Sequence, residues 1–512
     1  MINIIKPEFL GNRLDADFYK QDFIDNELIL NNFGSVSLNS LIDIKKSGYG
    51  ALPKSDEYLD NGLPLIRGGD LSYGYIQEIG VFVPKYYKDS RAIAKTGDIL
   101  ILIKGACIDG PEGVARVSEC ENGYLYNGSC YRLSFKNKDL DGRFFIAYSQ
   151  TKFFLKQKSR HIANTGISYN DENSILNYLI PNFSINIKKY IGDKVSQAEI
   201  LRLFAKSYIS KAENIFIDSI HWSSEILNVS KIGKLKPDEL ENRLDLKYNS
   251  PQRLAILRHI KKSSFKTAPL NELVEISAMV GWKGLTTEFY RKSGPWLLRG
   301  VEFNNGVIDF EKLVSIDREK FIEQPQIHLE KGDIAFSKDG TIGKAVVIPE
   351  LNNDLAAGST IARLRIKKHL RLNPYYLDFV LNHQIVNTQV ESFATGVAQP
   401  HITQEWIAQL IIPLIESQEV VGELVRVHHR SQWFSKILLS ISKFLVEGLI
   451  NGSITEDELI QAQNALEQGD NSLDRAILSK MTEDGYAVAG SKPLFADLDE
   501  FYELLEQAKE FE

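Results

Sequence analysis

Sulfur is scarce in this chain: 512 residues hold three cysteines and three methionines. Cys107, Cys120 and Cys130 are odd in number, form no Cys-x-x-Cys pair and lie near no histidine cluster. That argues against a disulfide framework and a structural zinc site, and leaves them as packing residues. Long apolar runs are absent too, none approaching the roughly 18 residues that span a bilayer, and Lys6 and Glu8 precede any signal-like segment. The expectation is a cytoplasmic protein without a membrane partner.

What is present is ordinary for globular protein, 43% hydrophobic and 25% charged, in a chain too long for a single core. The net charge of −7 is unevenly spread. From Ser453 to Glu512 fifteen acidic residues face four basic ones, a balance of −11, which leaves +4 for residues 1–452. A mildly basic body permits nucleic-acid binding without establishing it.

Two long amphipathic helices organise the sequence. Ile191, Val195, Ala198, Arg202, Ala205, Ile209, Ala212 and Phe216 make one seam at helical spacing, with Lys188, Lys189, Lys194, Lys206 and Lys211 expected on the surface. Val420, Leu424, Val427, Ser431, Phe434, Leu438, Ile441 and Leu445 make a second. Seams of this kind can pair.

Each helix follows a copy of the same region. Asn12-Arg13-Leu14-Asp15 returns as Asn242-Arg243-Leu244-Asp245, Leu65-Ile66-Arg67-Gly68 as Leu297-Leu298-Arg299-Gly300, and Gly97-Asp98-Ile99 as Gly332-Asp333-Ile334. Thr165-Gly166-Ile167 likewise matches Thr395-Gly396-Val397, and each copy closes on a hydrophobic step and proline, at Pro181 and Pro413. Collinear matches in this number indicate a duplication. Short aliphatic runs such as Ile99 to Ile103 and Ala345 to Ile348 read as buried strands, while Phe144 to Lys156 and Pro374 to Gln389 read as helices. Each copy is thus an α+β domain. The copies differ most around Gly50 to Asn61 and Cys107 to Gly113, where loops are expected.

Catalytic motifs fail on inspection. Gly340-Thr341-Ile342-Gly343-Lys344 resembles a phosphate loop, but Lys338 stands where the first glycine belongs and Ala345 replaces the magnesium-binding hydroxyl. Asn373-Pro374-Tyr375-Tyr376 has only one proline of the adenine-holding loop of amino-methyltransferases, and is better read as a helix start. His428-His429 lack a ligand partner at metal spacing and are expected to face solvent. Binding chemistry does recur. Arg67 and Arg299 each follow a strand and precede glycine, where a guanidinium fork could meet guanine or phosphate. Lys104 and Lys338 stand at the turn after the central strand, and Tyr49 and Trp282 accompany early glycines.

Leu-Arg-Gly, Gly-Asp-Ile and Thr-Gly elements in duplicate, each set ending in a long helix, resemble the specificity subunit of type I restriction-modification enzymes over residues 1 to about 450. Thr395 to Ile402, with Gln399 and His401, is similar to the close of that family's target recognition domain, whereas Ser168 to Asp171 departs from it in the first copy. The resemblance implies a non-catalytic protein with two target recognition domains, 1–185 and 229–414, followed by spacer helices, 186–228 and 415–452, that pair as an antiparallel coiled coil. It implies double-stranded DNA as ligand, read as a split target, in defence against foreign DNA. Two adenine-methyltransferase subunits and a motor/nuclease restriction subunit are the implied partners, and they, not this chain, would hold S-adenosylmethionine, ATP and magnesium. Candidate DNA contacts are Tyr49, Arg67, Lys104, Thr165, Trp282, Arg299, Lys338, Thr341, Gln399 and His401. A spacer of about 28 helical residues is about 42 Å, or roughly 12 base pairs. A diverged methyltransferase or nuclease and a protein-binding scaffold are the other classes open to the chain.

The acidic segment 453–512 stands outside the resemblance. Thr455-x-x-Glu458 is a capping box opening a helix that Gly469 ends, Ser472 to Met481 suits a second, and Leu498, Phe501, Leu504 and Leu505 form an apolar face on a third. Its charge repels phosphate, so it is expected to dock on a partner subunit, the alternative being its own coiled coil.

Overall fold

The computed structural model describes residues 15–105, 107–162, 168–230, 235–240, 243–279, 286–304, 306–396 and 399–511. It divides into two compact units, residues 1–201 with 434–512, and residues 202–433.

The first unit is built on an antiparallel sheet in the order Gly48–Tyr49, Cys130–Leu133, Ile99–Leu102, Val114–Arg116. The second repeats it as Val274–Ala278, Ile361–Ile366, Ile334–Ser337, Ala345–Val347. Each unit adds a further sheet with one parallel pair, Leu63–Ile66 beside Leu125–Tyr126 and Tyr290–Leu298 beside Leu355–Ala357. The central strands Ile99–Leu102 and Ile334–Ser337 are buried at every position, which is why they read as unbroken apolar runs rather than alternations.

The repeated Gly-Asp-Ile element is scaffold. Gly97 and Gly332 have φ of +77° and +86°, where a side chain is disfavoured, and turn the chain into the central strand. The aspartates that follow are buried and paired. Asp98 meets Lys138 at 2.8 Å and accepts from Ser134 Oγ at 3.1 Å, and Asp333 takes two bonds of 2.7 Å from Arg365.

Both expected helices of the domains are broken in two at the same place. Arg143–Ser149 gives way to Lys152–His161 and Pro374–Asn382 to Gln384–Phe393, because Thr151 and His383 leave the helical conformation and cap the next segment. Asn373 caps its helix by accepting from Tyr375 and Tyr376 N, with Pro374 in the first turn, as a helix start requires.

The long helices are Ile185–Ile220 and Gln418–Asn451. Their seams are mostly buried, as the spacing predicts, but Arg202, Ile209 and Leu424 are half-buried and Val420 is exposed, with Val421 buried in its place. Within the first unit Ser435 Oγ donates to the Ala198 carbonyl at 2.8 Å; within the second, His428 Nδ1 donates to the Ala205 carbonyl at 2.8 Å. The histidine pair therefore does not face solvent. His428 is buried, and His429, its side chain 11% exposed, lies 3.4 Å from the buried Asp378 carboxylate. Burial pulls both imidazoles below the usual histidine range and pushes Asp378 up to about 8. Lys188 and Lys194, expected on the surface, are also buried. Of the cysteines only Cys130 is buried, its thiol pushed up to about 12, whereas Cys107 is exposed.

The acidic segment folds as Glu456–Glu467, Ser472–Ser479, a Met481–Thr482/Gly485–Tyr486 hairpin and Leu498–Phe511. The capping box forms, Thr455 N donating to Glu458 Oε2 at 2.8 Å and Glu458 N to Thr455 Oγ1 at 3.3 Å. Its apolar face, however, is turned onto its own chain. Phe501 packs against Phe434 with ring centroids 5.4 Å apart, and Leu504 and Leu505 are buried. Asp474 accepts from Lys194 Nζ at 2.6 Å and from the Tyr190 and Tyr502 hydroxyls at 2.5 Å each. The segment thus packs within the first unit against the long helices of its own chain. Among the described residues no helix is long and apolar enough to cross a membrane.

Candidate nucleic-acid interface

Several of the side chains singled out from sequence lie on or beside the turn that leaves the central strand. In the second unit that turn is Lys338-Asp339-Gly340-Thr341, held shut by Ser337, whose N donates to the Lys344 carbonyl at 2.8 Å. It is tied to the Thr395 to Ile402 segment: Gly340 N donates to the Pro400 carbonyl at 3.0 Å, Ile402 N to the Lys338 carbonyl at 2.9 Å, and Thr395 and His401 exchange two backbone bonds of 2.8 Å. Lys338, Thr341, Gln399 and His401 are thus brought together although 57 to 63 residues separate the two segments at Lys338 and Thr395 to His401. Thr341 and Gln399 are exposed.

Asp339, which sequence reasoning passed over, sits at the centre. Its carboxylate takes Lys338 Nζ at 2.7 Å on Oδ2 and is hydrogen-bonded through Oδ1 to His401 Nδ1. The only sequence signal was adjacency to Lys338; the histidine partner is visible only in the fold. A carboxylate held between two donors orients both, and a lysine and a histidine held side by side can meet a phosphate or a base edge.

The first unit builds the same turn one residue out of step. Lys104 bridges Tyr169, Gly105 N donates to the Ser168 carbonyl at 3.2 Å and Asn170 N to the Ile103 carbonyl at 2.9 Å. Since Asp339 bridges His401 in the second unit, Lys104 occupies the register of Asp339, and Ile103 that of Lys338. Lys104 is exposed. The two lysines share a turn without being equivalent.

Arg67 and Arg299 do correspond, and each fork is already engaged. Arg299 N donates to Glu302 Oε2 and Nε to Oε1, both at 2.6 Å, with Nη1 3.4 Å from the Tyr290 hydroxyl. Burial works against the Arg299 charge, but the fully buried Glu302 beside it outweighs that and raises its pKa. Arg67 N donates to Asp70 Oδ2 at 2.7 Å, while its guanidinium lies 3.4 Å from either oxygen. Both arginine side chains keep a partly exposed edge, 40% for Arg67 and 34% for Arg299. The looser pair leaves Arg67 the freer of the two.

Tyr49 stands on the edge strand opposite Tyr131, half exposed, with the two rings edge-on at 5.1 Å. Partial burial raises its phenol pKa. Through the sheet register its place in the second unit falls to Ala278, which pairs with Ala362. Trp282 and Thr165 lie outside the described residues.

Comparison with known proteins adds a family. Residues 262–424 match the model of the type I restriction modification DNA specificity domain. No curated protein matches the chain. Among solved structures, the type I restriction-modification S subunit from M. genitalium aligns at 12% identity over 82% of this chain and 96% of its own, with a TM-score of 0.38. The HsdS subunit from Thermoanaerobacter tengcongensis aligns at 14% identity over 82% and 97%, with a TM-score of 0.28. The type IIG restriction endonuclease BpuSI aligns at 9% identity over 40% and 33%, also at 0.28. Those superpositions are loose, and the family match over the second repeat carries more weight: residues 262–424 are similar to the type I restriction modification DNA specificity domain.

Proposed function

We propose that the two repeats read the two halves of a split, asymmetric duplex target, and that the chain, itself non-catalytic, positions two adenine-methyltransferase subunits and a motor/nuclease restriction subunit on it. The single observation that carries this reading is the turn after the central strand, present in both units, tied in each to a segment ahead of that unit's own closing proline, and furnished differently in each. A shared frame with Lys104 and Tyr169 in one unit and Lys338, Asp339 and His401 in the other suits two readers of unlike sequences. In this reading the target recognition domains are 1–185 and 229–414, the spacers 186–228 and 415–452, and the tail 453–512. An antiparallel coiled coil of the spacers is supported by the Ala198–Ser435 and Ala205–His428 bonds, in which one number rises as the other falls. S-adenosylmethionine, ATP and magnesium belong to the partners.

Sequencing modified adenines in DNA from cells that carry the chain with its methyltransferase partner tests the proposal. A non-palindromic motif in two parts separated by unspecified bases is expected. A palindrome, or methylation that does not depend on the chain, rejects it.

A further inference from the structure

Lys158 is a lysine where packing calls for hydrocarbon. It stands seven residues after the Thr151 cap on Lys152–His161, and Val390 stands seven after the His383 cap on Gln384–Phe393. The two are 0% and 1% exposed. Each touches the turn that leaves its central strand. A β-carbon on Gly343 would meet Val390 Cγ1 at 3.3 Å, and one on Gly113 would meet Lys158 Nζ at 3.1 Å. The turns differ in length, with eleven residues between Ile99–Leu102 and Val114–Arg116 against seven between Ile334–Ser337 and Ala345–Val347.

Lys158 holds the longer turn. Its Nζ donates to the Gly110 carbonyl at 3.2 Å, Gly110 N donates to the Cys107 carbonyl at 3.1 Å, and Glu112 accepts from the Tyr73 hydroxyl at 3.1 Å. Burial pulls the amine down to about 8 against the Asp109 and Glu112 carboxylates, so the site is unfavourable for the charge it carries. Valine fills the same place in the sister domain without that cost. A buried lysine here is explained by the loop it fastens, which leaves Cys107 and Asp109 exposed on the same turn as Lys104.

We propose that Lys158 is a positioning residue for recognition: it fastens residues 107–113 as a reading element that the first domain has and the second lacks, with Asp109 as its contact to an exocyclic amino group such as cytosine N4. This rests on the reading that each repeat meets one half of the target. The full chain, assembled with its methyltransferase partners, is used to select duplexes from a random pool, as wild type, Lys158→Met and Asp109→Asn. Lys158→Met should lower enrichment about tenfold or more at bases of one half only, leave the other half unchanged, speed amide exchange across 107–113 and keep or raise the melting temperature, since a buried amine is removed. Asp109→Asn, at the surface, should alter the same half. A lysine that only supported the core would lower the melting temperature and leave selection intact, and that result overturns the proposal, as does unchanged selection by Asp109→Asn. Wild-type complex that selects no sequence overturns the reading of the repeats themselves.

Discussion

The Lys194 ammonium and the Asp474 carboxylate lie 2.6 Å apart with side-chain exposures of 0% and 2%, one on the first long helix and the other 280 residues later in the tail. The tyrosines Tyr190 and Tyr502 complete the carboxylate's partners. Asp474→Ala therefore leaves a buried cation alone and should destabilise the first unit by about 3 to 5 kcal/mol, whereas Lys194→Met with Asp474→Leu should recover most of that. Denaturant unfolding of the three proteins decides it. Burial pushes the Asp474 pKa up, but Lys194 and the two hydroxyls prevail and lower it. The pair's contribution is then present above the ordinary carboxylate pKa of about 3.9 and is lost as pH falls through the depressed value.

Acid should reach the second unit first. Of the nine histidines, the first unit's ranges include only His161. In the second, burial lowers His383 to about 4 and depresses His428 and His429. Groups with lowered values bind protons in the unfolded chain first, so their contribution fades as pH drops below about 6.5, each at up to about 1.4 kcal/mol per pH unit. Asp378, raised to about 8, works the opposite way and offsets one of them. A lower unfolding midpoint for the second unit at pH 5 than at pH 7.5, and a steeper fall in Asp378→Asn, are expected from fluorescence-monitored denaturation.

Arg299→Ala should do two separable things. It leaves Glu302, fully buried, with the backbone N of residue 299 as the one donor to its side chain among the described residues, a loss of about 1 to 3 kcal/mol in stability. It also removes the exposed guanidinium edge, which should relax selectivity in one half of the target. Arg67→Ala, whose Asp70 contacts are longer, should cost less stability for a comparable effect on recognition. Melting curves beside selection from random duplexes separate the two effects.

Gly306→Ala probes the packing of a hairpin on the second long helix. Gly306 has φ of +71° in the turn between Phe303–Asn304 and Val307–Ile308, and a β-carbon there would overlap the His429 ring. That ring has little freedom beside Asp378 and Tyr375. Strain and overlap together should cost about 1 to 3 kcal/mol and lower the melting temperature by several degrees. An unchanged melting temperature would show that the hairpin gives way.

Local and periodic features were legible in the sequence. The duplication, the seams, the Thr455–Glu458 capping box and the Asn373-Pro374 helix start all depend on neighbours within a few residues or on spacing, and the structure repeats them. Positions whose fate depends on distant partners were not legible. Lys194 looks like a surface lysine until Asp474 is placed beside it, Lys158 until Gly110 is, and His428 until the Ala205 carbonyl is. Lys104 and Lys338 match in sequence because both follow a central strand, but strand pairing, not residue identity, fixes register, and it sets Lys104 opposite Tyr169 as Asp339 is opposite His401. The ring of Asp339 with Lys338 and His401 was hidden for the same reason.

Because the first unit joins residues 1–201 to residues 434–512, its last partners leave the ribosome after the whole of the second unit has been made. At about 5 to 20 residues per second that is a wait of roughly 12 to 50 seconds for the 232 intervening residues, during which Lys194 has no Asp474 and the second helix has not yet supplied Phe434. The second unit, continuous in sequence, can finish folding first, reversing the usual N-terminal priority. A chain interrupted before Ser472–Ser479 would carry an unpaired lysine, and one interrupted before Gln418–Asn451 an exposed apolar seam as well, so the stability of the first unit waits on segments made after the second.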